Sequence, residues 1–491
     1  WLTYAANDAE GRELSPSSLI ERLQRLDEDL QIEPMPAFDL EETAPAAVFH
    51  LLGGEMRKAT AEAPLSPLWQ DIYGFFDENS QWQKHLSLLK QGIGKTAKPE
   101  RLSPKTAKAL YGKNIFSSVS RLERFAGCPF SFFAEYGLKA EERRLYQLNT
   151  PDLGSLFHEV LELFSNKLEQ DSLPWTSLTK EETTARIHAA VEDAAPRLGN
   201  RILLDSAANQ YLIRRLKRIS TRAAWTLVQH LQQGDFVPAG YEVGFGAHEA
   251  LPPIVIRLQD GGSLILNGKI DRVDLLDANG TRYVKIIDYK SGNKTFHFQD
   301  IYYGLQLQLL VYLDAYLKYY KKTGASFKPG GVFYFRITDP TLALDEELSA
   351  EAIEKILYEK MRMSGLLLQE DVLIHGLDHS LAESRSSAIV PVGYTKKGDP
   401  TAASNLATEE QYAAILDFVA TRTQEIGDAM KAGIITPAPY RDGQRTPCSY
   451  CSYCSLCRHS YAEAPKWRKL KKIDKADFWE TITPKQPPET E

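Results

Sequence analysis

Two hydrophobic periods alternate along this chain of 491 residues. In the first hundred, apolar positions recur at helical spacing. Leu19, Leu23 and Leu26 share a face behind Ser17 or Ser18, either of which can cap the helix. Residues 36–52 and 66–89 read as further short helices whose apolar faces have no evident partner inside the segment. From about 103 the pattern tightens. Ser120 and Glu123 stand at the spacing of a capping box before the apolar run that contains Cys128. Residues 152–168 predict a strongly amphipathic helix with Leu156, Val160, Leu163 and Phe164 on one side and Asp152 as its cap. His158 and Glu162, four apart, share another face of it. Residues 211–225 predict a second amphipathic helix, rich in arginine.

The period then changes to that of strands. Residues 253–292 read as three antiparallel strands, with turns at Asp260-Gly261-Gly262 and Asp277-Ala278-Asn279-Gly280. Ile270 and Val273 fall out of strict alternation, which predicts a bulge or twist near Asp271. Residues 301–320 read as one long helix, with Gln308 and Tyr312 four apart on it, and 330–337 as one more strand. The order of helix, strands, helix, strand predicts an α/β fold with a mixed central sheet flanked by helices.

Composition changes this picture little. Hydrophobic residues make up 43% and charged residues 25%, an ordinary globular balance. No apolar run reaches the length of a membrane span, so no membrane is expected. The net charge of −7 excludes a global basic field, so any nucleic-acid contact must come from local patches. Candidates are Arg214, Arg215, Lys217 and Arg218, with Arg222 behind them, and Lys469 and Lys471 in the basic run at 466–472. A charge run of this kind is more often a plain solvated face. The opening Trp1, with no targeting signal, reads as a fragment of a longer protein.

The cysteines are few and unevenly placed. Cys128 stands alone, whereas Cys448, Cys451, Cys454 and Cys457 fall within ten residues. Cysteines at three-residue steps do not readily bridge one another, but they converge on a metal or a cluster. This points to a metal-type centre in a reducing compartment, the cytoplasm.

The acids also gather. Asp271 lies late in the second expected strand, Asp288 and Lys290 lie two apart at the end of the third and so point to one side, and His158 stands on a helix ahead of them. Carboxylates with one imidazole suit Mg²⁺ or Mn²⁺, and a neighbouring lysine orients or deprotonates water and offsets phosphate charge. By contrast, the Gly-Lys-Thr string at 94–96 is no phosphate loop. Leu89 stands where that motif needs glycine, and no strand precedes it.

This constellation resembles the RecB-type branch of the PD-(D/E)XK nucleases. The resemblance implies that His158, Asp271, Asp288 and the main-chain carbonyl of Tyr289 bind the metal. It implies that Asp271, Asp288 and Lys290 carry the catalysis, with Gln308 and Tyr312 contacting DNA or orienting ligands from the helix behind. One cysteine before the core and a C-x2-C-x5-C group after it are similar to the iron–sulfur subunits of AddAB-type helicase–nucleases. That implies a 4Fe–4S staple on Cys128, Cys448, Cys451 and Cys457, with Cys454 outside the family pattern. It further implies residues 1–102 as the end of a helicase-like domain, 103–475 as the nuclease domain and 476–491 as a flexible tail. The expected partners are an AddA-like helicase–nuclease subunit in a heterodimer, and single-stranded and duplex-end DNA. The expected activity is Mg²⁺-dependent exonuclease cleavage of the 5′-terminated strand in recombinational repair of double-strand breaks. A Cas4-like iron–sulfur exonuclease is the first alternative; a non-catalytic DNA-binding scaffold holding zinc on its cysteines is the second.

Overall fold

The computed structural model describes residues 15–27, 43–59, 64–93, 101–141, 150–197, 207–342, 348–457, 459 and 467–483. The chain divides into two compact units at 96/97. The expected boundary at 102/103 falls a few residues later.

In the first unit, helix α1 (Ser18–Leu26) starts at Ser17, whose hydroxyl accepts the Leu19 N–H. Its Leu19, Leu23 and Leu26 are exposed. The next three helices, α2 (Pro45–Lys58), α3 (Pro67–Glu78) and α4 (Gln83–Ile93), correct the expectation of faces without partners. They bury Val48, Leu52, Phe76 and Leu86 among themselves, with Phe49 and Trp82 packed around them. Phe49 and Phe76 meet edge-on at 5.0 Å, a favoured aromatic geometry. Helix α4 runs through Leu89 and Gly92, where a phosphate loop would need a strand; residues 94–97 lie outside the described residues.

The second unit opens with α5 (Pro104–Tyr111), β1 (Asn114–Ser117), α6 (Val119–Gly127) and α7 (Pro129–Phe132). Three long helices follow, α8 (Thr150–Gln170), α9 (Lys180–Ala194) and α10 (Ala207–Gln232). The chain continues as β2 (Val237–Phe245), β3 (Ile254–Arg257), β4 (Ser263–Leu266), β5 (Gly268–Ala278) and β6 (Thr281–Lys290). Then come α11 (Phe298–Tyr302), α12 (Gln308–Lys322), β7 (Lys328–Arg336), α13 (Ala350–Lys360), β8 (Ser364–Leu368), α14 (Asp371–Leu377) and β9 (Leu406–Ala407). The unit closes with α15 (Glu409–Lys431), β10 (Tyr440–Arg441), α16 (Cys454–Cys457), β11 (Arg468–Lys469) and α17 (Lys475–Ile482).

The main sheet has the order β2-β5-β6-β7-β8-β9 and is mixed. β5 and β6 form an antiparallel hairpin, and β7 runs parallel to β6. Helices cover both faces, which is why β6 reads as a nearly unbroken buried run. The same burial explains Ile270 and Val273. They point to opposite faces and both are buried, so β5 needs no bulge at Asp271. The register shift instead lies in the partner strand, between Pro238 and Gly240.

Four strands stand where three were expected. The run 263–278 breaks at Asn267, whose N–H donates to the Ser117 carbonyl, and β4 joins a separate small sheet of order β1-β4-β3. Gly268 then starts β5 in a tight place: a Cβ there would stand 2.6 Å from the Phe245 ring and 3.0 Å from the Tyr312 hydroxyl. This split puts Asp271 early in its strand. The expected long helix at 301–320 is likewise two. Gly304, at φ +75°, turns the chain between α11 and α12, a conformation that favours glycine.

Three terminal expectations also change. Helix α8 starts at Thr150, so Asp152 lies in its first turn and is not its cap. Ser118 is the N-cap of α6, and Glu123 makes no capping box there. Residues 476–482, expected in a flexible tail, belong to α17, whose Phe478 and Trp479 are buried in the core. Among the described residues, no helix is long and apolar enough to cross a membrane.

Candidate active site and cysteine group

The β5–β6 hairpin places the acids. Side chains alternate along a strand, so Asp271 on β5 and Asp288 and Lys290 on β6 share one face. Both carboxylates are buried, Asp271 to 7% and Asp288 to 1% exposure. Asp271 Oδ2 accepts the Tyr289 N–H at 2.5 Å. Asp288 Oδ2 lies 2.5 Å from Lys290 Nζ, and its Oδ1 accepts from Gln308 Nε2 at 2.6 Å. Burial, then repulsion from Asp271, push the Asp288 carboxyl up to about 7, with Lys290 opposing. Burial works against the charge on Lys290, but Asp288 outweighs it and keeps the ammonium protonated.

Helix α12 supplies the polar backing, and its position has an identifiable cause. Glu123 of α6 accepts the N–H groups of Leu307 and Gln308 at 2.8 and 3.1 Å, satisfying free donors at the helix start. Its other oxygen pairs with Lys294 at 3.1 Å. Gln308 therefore sits in the first turn. Its Oε1 accepts from Lys290 at 3.2 Å, and its Nε2 also donates to the Tyr312 hydroxyl at 3.3 Å. One amide thus links the second acid, the lysine and the tyrosine.

On the other side, α8 brings His158 to the acids. Its Nδ1 lies 3.4 Å from Asp271 Oδ1 and 3.7 Å from Glu242 Oε1. Burial disfavours the imidazolium, but these carboxylates outweigh it and raise His158 to about 10. Ligand atoms of His158, Glu242 and Asp271 all lie within 4.8 Å of one another. A proton on His158 offsets charge that a divalent cation would also offset, so cation binding there would release a proton. The residues fit a hard or borderline cation: two carboxylates and one imidazole. Asp288 stands outside that trio, tied to Lys290 and Gln308. A cleft of about 640 Å³ opens in front, lined by His158, Glu242, Glu162, Asn166 and Arg197.

Glu242 was missed in the sequence. It sits on β2 at φ +45°, an uncommon backbone for a glutamate, of the kind that concentrates at functional sites. The available signal was the alternation Tyr241, Val243, Phe245, which marks a strand and leaves an acid on its second face. Glu123 was found by spacing, but its partner is a helix far along the chain.

The basic candidates divide. Lys217 pairs with Glu192 at 2.6 Å and Arg218 with Asp339 at 2.7 Å, whereas Arg214 and Arg215 are exposed. Lys469 and Lys471 are exposed on the segment that β11 ties to β10.

Cys128 is buried at the junction of α6 and α7. Burial raises its thiol, while amides of Ser131, Ala438 and Phe130 oppose that by hydrogen-bonding the sulfur, and Cys451 is near enough to raise it further. Cys448 and Cys457 feel Cys128 in the same way. Cys457 accepts the His459 N–H at 3.5 Å and its own thiol donates to the Cys454 carbonyl at 3.7 Å, and the Cys454 thiol donates to the Cys451 carbonyl at 3.3 Å. No three of the five sulfurs come within 4.8 Å of one another.

Residues 117–458 match the PD-(D/E)XK nuclease superfamily, and residues 43–92 match the fifth domain of the ATP-dependent helicase/deoxyribonuclease AddB. The chain is 40% identical over 457 residues to an ATP-dependent helicase/deoxyribonuclease subunit from Alkaliphilus metalliredigens, covering 92% of this chain and 40% of that protein. The protein of the same description from Alkaliphilus oremlandii is 39% identical over 490 residues, covering 98% of this chain and 42% of its own length. That from Caldanaerobacter subterraneus is 36% identical over 456 residues, covering 91% of this chain and 39% of its own. The chain thus spans about two fifths of the length of the curated relatives it matches.

Proposed function

This chain belongs to the PD-(D/E)XK nuclease superfamily, and from that premise we propose that it is the nuclease part of a cytoplasmic, AddAB-type helicase–nuclease subunit. It hydrolyses phosphodiester bonds of a single DNA strand, the 5′-terminated one, in recombinational repair of double-strand breaks. Its partner is an ATP-driven, AddA-like subunit that supplies the strand. The observation that carries the reading is one face of one hairpin holding Asp271, Asp288 and Lys290, with His158 and Glu242 completing a cation-binding set.

His158, Glu242 and Asp271 would hold Mg²⁺ or Mn²⁺, together with Asp288 and the Tyr289 carbonyl. Such an ion polarises a phosphoryl oxygen and acidifies a water. Lys290, kept protonated by Asp288, offsets charge that grows on the phosphate and orients the attacking water. Gln308 holds Asp288 and Lys290 in one geometry, and Glu123 holds Gln308 by fixing the start of α12. The buried floor excludes bulk water from the acids.

Cys128, Cys448, Cys451 and Cys457 would hold one 4Fe–4S cluster joining distant points of the chain. The support is proximity: the buried Cys128 lies close enough to Cys448, Cys451 and Cys457, far along the chain, for their charges to interact.

The test is cleavage of single-stranded DNA by the complex reconstituted with its helicase subunit, with and without Mg²⁺, alongside iron and sulfide analysis. Mg²⁺-dependent cleavage with bound iron is expected, Cys454→Ala keeping its iron and Cys128→Ala losing it. A protein that binds zinc and cleaves nothing would be a scaffold.

A further inference from the structure

Helix α10 carries a second feature that the catalytic centre does not use. Arg214, Arg218 and Arg222 follow one another at four-residue steps, with Thr221 and Trp225 beside them, and all of them line a cavity of about 400 Å³. Lys180 of α9 and Tyr358 of α13 close its other sides, over an apolar floor of Leu357 and Met361.

Cations exceed carboxylates here. Arg218 and Arg222 share Asp339 at 2.7 and 3.2 Å. Lys217 takes Glu192 at 2.6 Å, and Glu354 lies 3.8 Å from both Lys180 and Arg222. Arg214 is exposed and has no ion pair among the described residues. Thr221 lines the cavity between the arginines.

The cavity is joined to the active centre through the backbone. Ile337, just past the end of β7, donates its N–H to the Lys290 carbonyl at 2.9 Å, and Asp339, the anchor of Arg218 and Arg222, stands two residues further on.

We infer that this cavity binds one nucleotide of the single strand, a short way along the chain from the cleavage point. The phosphate lies on Arg214 and Arg218, and the base lies against Trp225 and Tyr358. Guanidinium groups match phosphate oxygens in planar, paired geometry, and an aromatic wall accepts any base by stacking. The apolar floor favours a nucleobase over a bare anion. The inference rests on the nuclease reading above.

The experiment measures binding of a fluorescent oligothymidylate of about twenty nucleotides, longer than the common site sizes of single-strand grooves, by the full complex in chelator. Arg214→Glu, at an exposed position that does not threaten folding, should weaken binding about tenfold and lower the salt slope by about one charge. Trp225→Ala should weaken it about fivefold or more with the salt slope unchanged. Arg282→Ala, at the turn of the β5–β6 hairpin, is the control and should bind as the wild type does. Wild-type binding by both Arg214→Glu and Trp225→Ala, in a complex whose unaltered form cleaves the strand in Mg²⁺, overturns the cavity and leaves the nuclease reading standing. Displacement of the oligonucleotide by free thymidine monophosphate at equal nucleotide concentration overturns the strand assignment. An unaltered complex that neither binds nor cleaves overturns both.

Discussion

The two faces of the β5–β6 hairpin carry two clusters of charge that differ in one respect. On one face, Arg272 grips Asp274 through two hydrogen bonds of 2.6 and 2.9 Å, and Lys285 reaches the same carboxylate at 2.9 Å. The three are sealed in the core, with Arg272 over the Trp175 ring at 4.9 Å and Lys285 over the Phe236 ring at 4.5 Å. Burial disfavours the Asp274 carboxylate, but the two cations outweigh it and hold the carboxyl below its usual range. On the other face, Asp271, Asp288 and Glu242 meet His158 and Lys290 at the edge of a cleft. There acid stands beside acid, and Asp288 is pushed up to about 7. A charge matched and sealed is structure; charge left mismatched beside an opening is the pattern of a candidate ion-binding site.

Substitutions test that contrast from both sides. The largest effect expected is on activity: Asp288→Ala should lower strand cleavage by roughly a thousandfold or more, because it removes a reacting-site carboxylate. Its unfolding midpoint should change little, since relief of an unfavourable buried charge offsets the loss of the partner of Lys290 and Gln308. Cleavage kinetics and thermal melts on one preparation decide both halves. Asp274→Ala should do the reverse. It leaves Arg272 and Lys285 buried without a counter-charge, at a cost of about 3–5 kcal/mol, so the melt should fall by several degrees while folded protein still binds Mn²⁺. An unchanged melt would remove the distinction between the faces.

Glu242→Gln probes the edge of the mismatched cluster. Mn²⁺ affinity, read by titration calorimetry, should drop about tenfold or more, as for loss of a group that holds a metal site, with little change in stability. The smallest effect is expected from Glu123→Gln, which weakens a helix-start contact by about 1 kcal/mol. Because that contact sets Gln308, cleavage should slow severalfold while Mn²⁺ affinity holds. A fall in Mn²⁺ affinity equal to that of Glu242→Gln would mean that Glu123 acts on the cation set itself.

Much of this was legible along the chain. The alternation around Asp288 and Lys290, the helical period around His158 and the hairpin turn at Asp277–Gly280 are local patterns, and local patterns survive into the fold. Breaks were harder to read. Nothing in the run 263–278 announces that Asn267 bonds to Ser117 and splits the strand, and Gly304 ends a helix in a stretch whose apolar spacing continues past it. Glu242 lay in a strand whose pairing with β5 spans some thirty residues, so its approach to His158 was set by register.

The sequence by itself determined which residues could carry the chemistry and which period each segment follows, because side-chain type and spacing act over a few residues. The tertiary structure decided what those residues do to one another. It turned Glu123 from the cap of its own helix into the cap of α12, sealed the Arg272 face of β5 against the Trp175 ring, and raised Asp288 by setting it in the core beside Asp271. Charge interactions depend on distance and burial, and both are fixed only when segments far apart in the chain pack together.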